Sequence, residues 1–426
     1  MIDRLRAYVE QLFQDAPRGA QAEELQEELL ANLIDRYRDL VAGGQPPEEA
    51  YRSAVDSIGD VGALLNALRR EQPLPQDRGD LNRAANEQRV SLTDIARIEI
   101  QYTSDTVNLF RSETSELLVK EFMNRREPEL LARIEASGST LRIRHGARRL
   151  FLFPPFRSRI EIYLPAGYRG ELALRTASGS IRIHTALELA ALELHAASGS
   201  IHGELPLAAA GALEAESASG SIHLAEATAK RLRLQAASGS LHLRRLTALE
   251  AAELRSTSGS LHLGELTAGS LDLGTASGSM RAECLRAAEG LRLHTTSGSI
   301  QLQRAEGRME LATSSGSIVV EGCRGAGSCA TSSGSIRMRV EELQGDLSLR
   351  ASSGGIRLGL AGGVACNLRA KTVSGGIHTN LAGLAFAQRN AAAGVVGDAP
   401  QYAIEAQAVS GSIHIAGEAR IGEEGT

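Results

Sequence analysis

The three-residue string Ser-Gly-Ser, or its variant Ser-Gly-Gly, recurs thirteen times in this chain. It begins at Ser137, Ser178, Ser198, Ser219, Ser238, Ser258, Ser277, Ser297, Ser315, Ser333, Ser353, Ser374 and Ser410. From Ser178 to Ser374 the copies stand 18 to 21 residues apart. A fixed period of that length belongs to stacked repeats, each too small to bury its own apolar face.

Aligned on the first serine, the unit reads Leu-x-Leu-x-Thr/Ala-x-Ser-Gly-Ser-Ile-x-Leu. The third residue after that serine is apolar in every copy from Ser178 onward, from Ile181 and Ile201 to Ile377 and Ile413. Upstream pairs such as Leu192/Leu194 and Leu232/Leu234 alternate in the same way. Period two denotes strands buried on one face. The sequence therefore predicts a mainly β, single-chain β-solenoid: a right-handed β-helix of about 20 residues and two strands per coil. About twelve coils at ~4.8 Å per step would span roughly 55–60 Å.

Composition agrees with a thin interior. Aromatic residues make up 3% of the chain and tryptophan is absent. Between Ala166 and Ala399 the only proline is Pro206, as expected where each strand interior must donate to a ladder. The motif glycines Gly179, Gly199, Gly220, Gly239, Gly259, Gly278, Gly298, Gly316, Gly334, Gly354, Gly375 and Gly411 are predicted to form a structural corner. Either φ is positive there or a side chain would block stacking. The serines flanking them are read as satisfying corner backbone groups. A nucleophilic serine needs one special position with histidine and acid partners, whereas here every coil repeats the same serines.

Residues 1–72 read as a helical interaction domain. Helices are predicted over Ile2–Phe13, over Ala20–Val41, after Pro46-Pro47, and after a Gly59-Asp60 break. Residues 73–90 read as a linker, 91–418 as the solenoid and 419–426 as a tail. The first 80 residues hold 9 Lys/Arg against 16 Asp/Glu, so this segment is acidic and the remainder nearly neutral. No basic block suggests nucleic acid, and no signal peptide or run of 18 apolar residues is seen. The expected location is cytoplasmic, peripheral to a membrane. The four cysteines, Cys284, Cys323, Cys329 and Cys366, show no Cys-x-x-Cys spacing and read as reduced core residues. No metal or cofactor is expected.

The residue four after each motif serine faces outward between two buried positions. Arg182, His202, His223, His242, His262, Arg281, Arg337, Arg357, His378 and His414 share this register, with Gln301 and Val319. Three readings compete: a solvated row of stacking rings, an anion-binding stripe for a polymer, headgroup or acidic partner, and a metal or pH device. Charging neighbouring rungs would cost about 0.9 kcal/mol per pair even in water, so the histidines are expected to resist charging together. The opposite outward row, Glu193, Glu214, Arg233, Glu253, Asp272, Arg292 and Glu310, mixes signs and reads as inter-coil ion pairing. Beyond Val107 only Asp272, Asp346 and Asp398 are aspartates, too dispersed for acid–base catalysis.

Two resemblances add to this reading. Gly44-Gln45-Pro46-Pro47-Glu48-Glu49-Ala50 and Ile58-Gly59-Asp60 resemble the HAAS-type helical prefix of bacterial envelope-stress and permease-associated proteins, with Val61 where that family has proline. From about Ser91 the chain resembles the bacterial "putative adhesin" β-strand-repeat family, a domain of unknown function. Ile98-Glu99-Ile100, Ser104-Asp105-Thr106-Val107, Ile160-Glu161-Ile162-Tyr163-Leu164-Pro165 and Val409-Ser410-Gly411-Ser412-Ile413-His414-Ile415 carry that likeness. These resemblances imply a non-catalytic scaffold or binding protein in envelope processes, with a protein partner, membrane-associated or not, for the helical domain. The alternatives are a secreted or surface adhesin and a carbohydrate-active β-helix enzyme. The aromatic run from Phe151 to Phe156 is expected to plug one end of the core, and the Ala382–Gly397 insertion to cap or fold over the final coils.

Overall fold

The computed structural model describes residues 2–13, 45–56, 83–103, 105–123, 131–145 and 158–417, together with isolated positions 30, 33, 37 and 41. Most of the predicted second helix, the fourth helix, the linker prolines, the Phe151–Phe156 run and the 419–426 tail lie outside these residues. So does the Ile58-Gly59-Asp60 string. The chain divides into two compact units, and the helices belong to the smaller one. There α1 (Ile2–Leu12) and α2 (Pro47–Asp56) bury Leu5, Val9 and Ala54 with Leu33. Glu48 and Glu49 lie in the first turn of α2, where the helix dipole favours acids. Arg4 meets Glu48 at 3.0 Å and stacks over the Tyr51 ring.

The larger unit is a β-solenoid of parallel rungs. Its regular coils are long strands that bend around the core, such as Ile222–Ala236, Leu241–Ser256 and Leu261–Thr275. Each is in register with the next: Ile222 pairs with Leu241, which pairs with Leu261. The two inward runs expected per coil gain a third between them. Ala227 and Ala229, then Ala248, then Ala268 are buried in the middle run, and a register shift follows each. The run mixes alanine with leucine, since Leu246, Leu266 and Leu285 share the register of Ala227 and are buried too.

Both ends depart from sequential stacking. Arg97–Tyr102 lies between Thr140–Arg144 and Glu171–Thr176, parallel to each. Thr106–Ser112 likewise lies between Ser158–Pro165 and Ile181–Ile183. The chain thus lays an inner rung first, then an outer one, then returns inward. At the other end Ile413–Gly417 pairs with Ile356–Leu360 on one side and Ile377–Thr379 on the other. Ala403–Ala408 sits between the Ile336–Ala351 strand and Cys366–Thr372. The coil carrying Ser410 therefore enters between the coils carrying Ser353 and Ser374.

Antiparallel strands cover the ends. Arg133–Ser137 pairs with Thr140–Arg144, and Asn86–Ser91, whose start falls in the stretch read as linker, pairs with Glu116–Met123. In the Ala382–Gly397 insertion, Leu384–Gln388 and Ala391–Val396 form a hairpin that pairs onto Cys366–Thr372. The insertion caps the final rung. No helix among the described residues is long and apolar enough to cross a membrane.

Candidate functional site

The motif corner explains how the outward rows are held straight. None of the twelve motif glycines, Gly179 to Gly411, has positive φ. The blocking alternative holds instead. A Cβ on Gly199 would overlap the carbonyl of Gly179, one on Gly220 that of Gly199, and so on up the column. Gly138, in the first motif copy, differs: its φ is +58° in the turn of a hairpin, with open space around it. That copy is a turn and not a rung.

At eight of the twelve rungs a hydroxyl two residues before the motif serine bonds to the corner backbone. Ser217 Oγ donates to the Gly199 carbonyl at 2.9 Å and accepts from the Gly220 N–H at 2.9 Å. Ser256, Thr275 and Thr295 do the same at their rungs. The third motif serine forms a second ladder: Ser221 N–H donates to Ser200 Oγ, and Ser240 N–H to Ser221 Oγ, both at 3.1 Å. Corner backbone groups thereby stay satisfied where no strand pairing reaches them.

Beside this corner runs the outward row. In space it reads Arg182, His202, His223, His242, His262, Arg281, Gln301, Val319, Arg337, Arg357, His414, His378. The structure brings all ten predicted residues into one line, with His414 ahead of His378. The His202, His223, His242 and His262 rings stack at 4.5–4.8 Å with interplanar angles of 4–13°. His414 and His378 stack at 4.8 Å. Together with Arg244, Arg281, Glu204 and Glu283 the four-ring stack lines a shallow groove of about 610 Å³.

Burial pushes the pKa of His202, His223 and His242 down. Arg182 adds to this at His202, while the neighbouring histidines add to it at His223 and His242. The stacked spacing is too wide for shared metal ligation. Two nitrogens on one zinc lie at most about 4.2 Å apart, and equivalent nitrogens of stacked rings are separated about as far as their centroids. Among the described residues no group of three His, Cys, Asp or Glu side chains is placed to hold a metal ion.

The other outward rows are ion-paired between rungs. Arg292 meets Glu310 at 3.1 Å, Arg233 meets Glu253 at 3.9 Å, and Arg255 joins Asp272 and Glu253. Arg245–Glu226, Arg286–Glu306 and Arg324–Glu341 follow on other faces. The His/Arg row contains no carboxylate at any rung from Arg182 to His378.

Sequence reasoning missed one buried polar cluster, at the outer end of the column. Asp105 takes the place a motif glycine would hold, because a Cβ on Gly179 would overlap its carbonyl. Its buried carboxylate lies 3.8 Å from His145 Nε2. Tyr102 packs edge-on to His145 and donates to Glu121 Oε1 at 3.4 Å. Glu121, fully buried, also accepts from Asn86 Nδ2 at 2.6 Å and from the Ala132 N–H at 3.0 Å. Burial raises the Glu121 pKa, with these two donors opposing the shift. The signal was Ser104-Asp105-Thr106, a motif copy with its glycine replaced.

Known families and structures supply the remaining comparison. The Toastrack DUF4097 family model matches residues 95–309 and 304–416. Among solved structures, a putative cell adhesion protein from Clostridium sporogenes is 10% identical. That alignment covers 78% of this chain and 99% of the other, with a TM-score of 0.18. A putative adhesin from Bacteroides fragilis is 11% identical over 78% of this chain and 96% of its own, with a TM-score of 0.20. No curated protein matches the chain.

Proposed function

The chain belongs to the Toastrack DUF4097 family, and from that premise we propose that it is a non-catalytic binding scaffold whose ligand surface is the His/Arg row. One observation carries this reading. Ion pairs such as Arg245–Glu226, Arg286–Glu306 and Arg292–Glu310 join rungs elsewhere on the solenoid, whereas this row from Arg182 to His378 holds four arginines, six histidines and no acid. An uncompensated row on a rigid ladder suits an anionic partner, which it would attract in a salt-dependent way. The acidic helical unit supplies a separate contact for a protein partner at the bacterial envelope, and the solenoid presents its row from the cytoplasmic side.

The test uses the full chain passed over anionic, neutral and cationic supports at low and high salt. Retention on the anionic support alone, lost at high salt and weakened by replacing row residues, supports the reading. Retention that ignores the row residues overturns it.

A further inference from the structure

We propose that the four rungs carrying Arg337, Arg357, His414 and His378 form a docking site for a linear phosphate polymer, an inference that rests on the row being the ligand surface. These rungs are consecutive in space because the Ser410 coil enters between its neighbours. Arg337 and Arg357 are in register, exposed, and one strand step apart. Neither has an acidic partner among the described residues. Two permanent charges at that spacing repel, whereas on other faces of this solenoid Arg245, Arg292 and Arg324 are met by carboxylates.

The positions two residues to either side of these rungs carry no acid, and the nearest carboxylate in the strand of Arg337, Glu341, is taken up by Arg339 and Arg324. On one flank, Ser335, Gly355, Ser412 and Gly376 are uncharged. On the other, Arg339, Gly359 and Ala416 share a register, and the Arg339 side chain lies beside Gly359 while pairing with Glu341 at 2.8 Å. The four-histidine stretch differs, since Glu204 and Glu283 border its groove and Arg281 Nε donates to Gln301 Oε1 at 3.0 Å. Only at the Arg337–His378 end do two arginines of the row stand on adjacent rungs, whereas the four histidine rungs separate Arg182 from Arg281.

The geometry selects the ligand. Side chains on successive rungs project in parallel and do not converge, so a single small anion would meet one or two of them. A chain of closely spaced anions lying along the row meets all four. Guanidinium groups bind phosphate oxygens in a bidentate fork. The patch has no Phe, Tyr or Trp, and its two histidine rings already stack on each other at 4.8 Å, so a phosphate backbone without bases fits it better than single-stranded nucleic acid.

The experiment measures binding of linear polyphosphate to the full chain over a salt series, beside polyglutamate and oligo-deoxythymidine of equal charge. Polyphosphate should bind tightest, with affinity falling linearly on a log–log salt plot. The R337Q/R357Q variant should weaken it at least about tenfold, the loss of charge-assisted hydrogen bonds, with R357Q alone showing part of that effect. The R233Q/R292Q variant, on the opposite outward row, should change it less than about threefold, and R182Q/R281Q should weaken it less than R337Q/R357Q does. Matching thermal melts guard against misfolding. Wild-type affinity in R337Q/R357Q, no polyphosphate binding, or equal binding of polyglutamate or oligo-deoxythymidine overturns the proposal. If R182Q/R281Q abolishes binding while R337Q/R357Q keeps it, the row remains the ligand surface and this placement fails. If neither variant matters, both readings fall.

Discussion

Ser217 reaches across one rung to the carbonyl of Gly199, 2.9 Å away, while its own oxygen accepts the N–H of Gly220. One hydroxyl thus closes both backbone groups of a corner that strand pairing leaves open. Thr295 does so for Gly278 and Gly298 at 3.1 Å. Thr295→Val keeps the shape and removes the lock, and should cost about 1–3 kcal/mol of unfolding free energy. The reverse change is available at Ala236, which occupies the same register without a hydroxyl. Ala236→Ser should add about 0.5–1.5 kcal/mol. Urea denaturation of both variants checks the pair, and equal midpoints for all three proteins would refute the lock.

Glycine at the corner is required by contact and not by dihedral angle. Gly278→Ala drives a methyl into the Gly259 carbonyl, a backbone atom that cannot rotate away. Overpacking of this kind should cost about 3 kcal/mol or more. Gly138→Asn is the contrast, since Gly138 has φ +58° and nothing nearby, and asparagine tolerates that region. It should change stability by under about 1 kcal/mol. Differential scanning calorimetry separates the two cases.

The pKa values of His202, His223 and His242 lie below their ordinary value. Between those lowered values and the unfolded value near ~6.5, the unfolded chain holds more protons than the folded one. Stability should therefore fall as pH drops through that window and level off below it. A variant with all three replaced by glutamine should show a flatter profile from neutral pH downward. NMR titration of the ring signals provides the direct measurement, and midpoints at or above the ordinary histidine value would contradict the stacking effect.

All four cysteines are buried and free. Burial raises Cys323 to about 12 and Cys366 to about 11, and lifts Cys329 well above its usual range. The thiolate is the reactive form, so native protein should label slowly with a thiol reagent and quickly once unfolded. Cys284, at 8% exposure and flanked by Arg286, should be the first to react. Mass spectrometry of partially labelled protein gives the order.

The repeat made most of the solenoid legible before any coordinates. Ile222, Leu241 and Leu261 announce their row because one large apolar residue recurs at one offset, and His223, His242 and His262 follow from it by alternation. What stayed hidden lacked that contrast. The middle run varies in residue type along one register, from Ala227 to Leu246, Leu266, Ala305 and Cys323. The cluster of Asp105, His145, Glu121 and Tyr102 draws on three separate segments. The order of His414 and His378 could not be read either, because periodicity gives the spacing of rungs along the chain and says nothing of a rung laid down out of turn.

That last feature bears on how the protein is made. Ile413–Gly417 is wedged between strands synthesised before it, and Ala403–Ala408 beside it. A nascent chain that has emerged only to Thr379 holds two surfaces meant for a keystone that does not yet exist. They must either wait apart or close wrongly on each other, so the far end of the solenoid should set last, after translation has passed Gly417, however early the central coils have hardened.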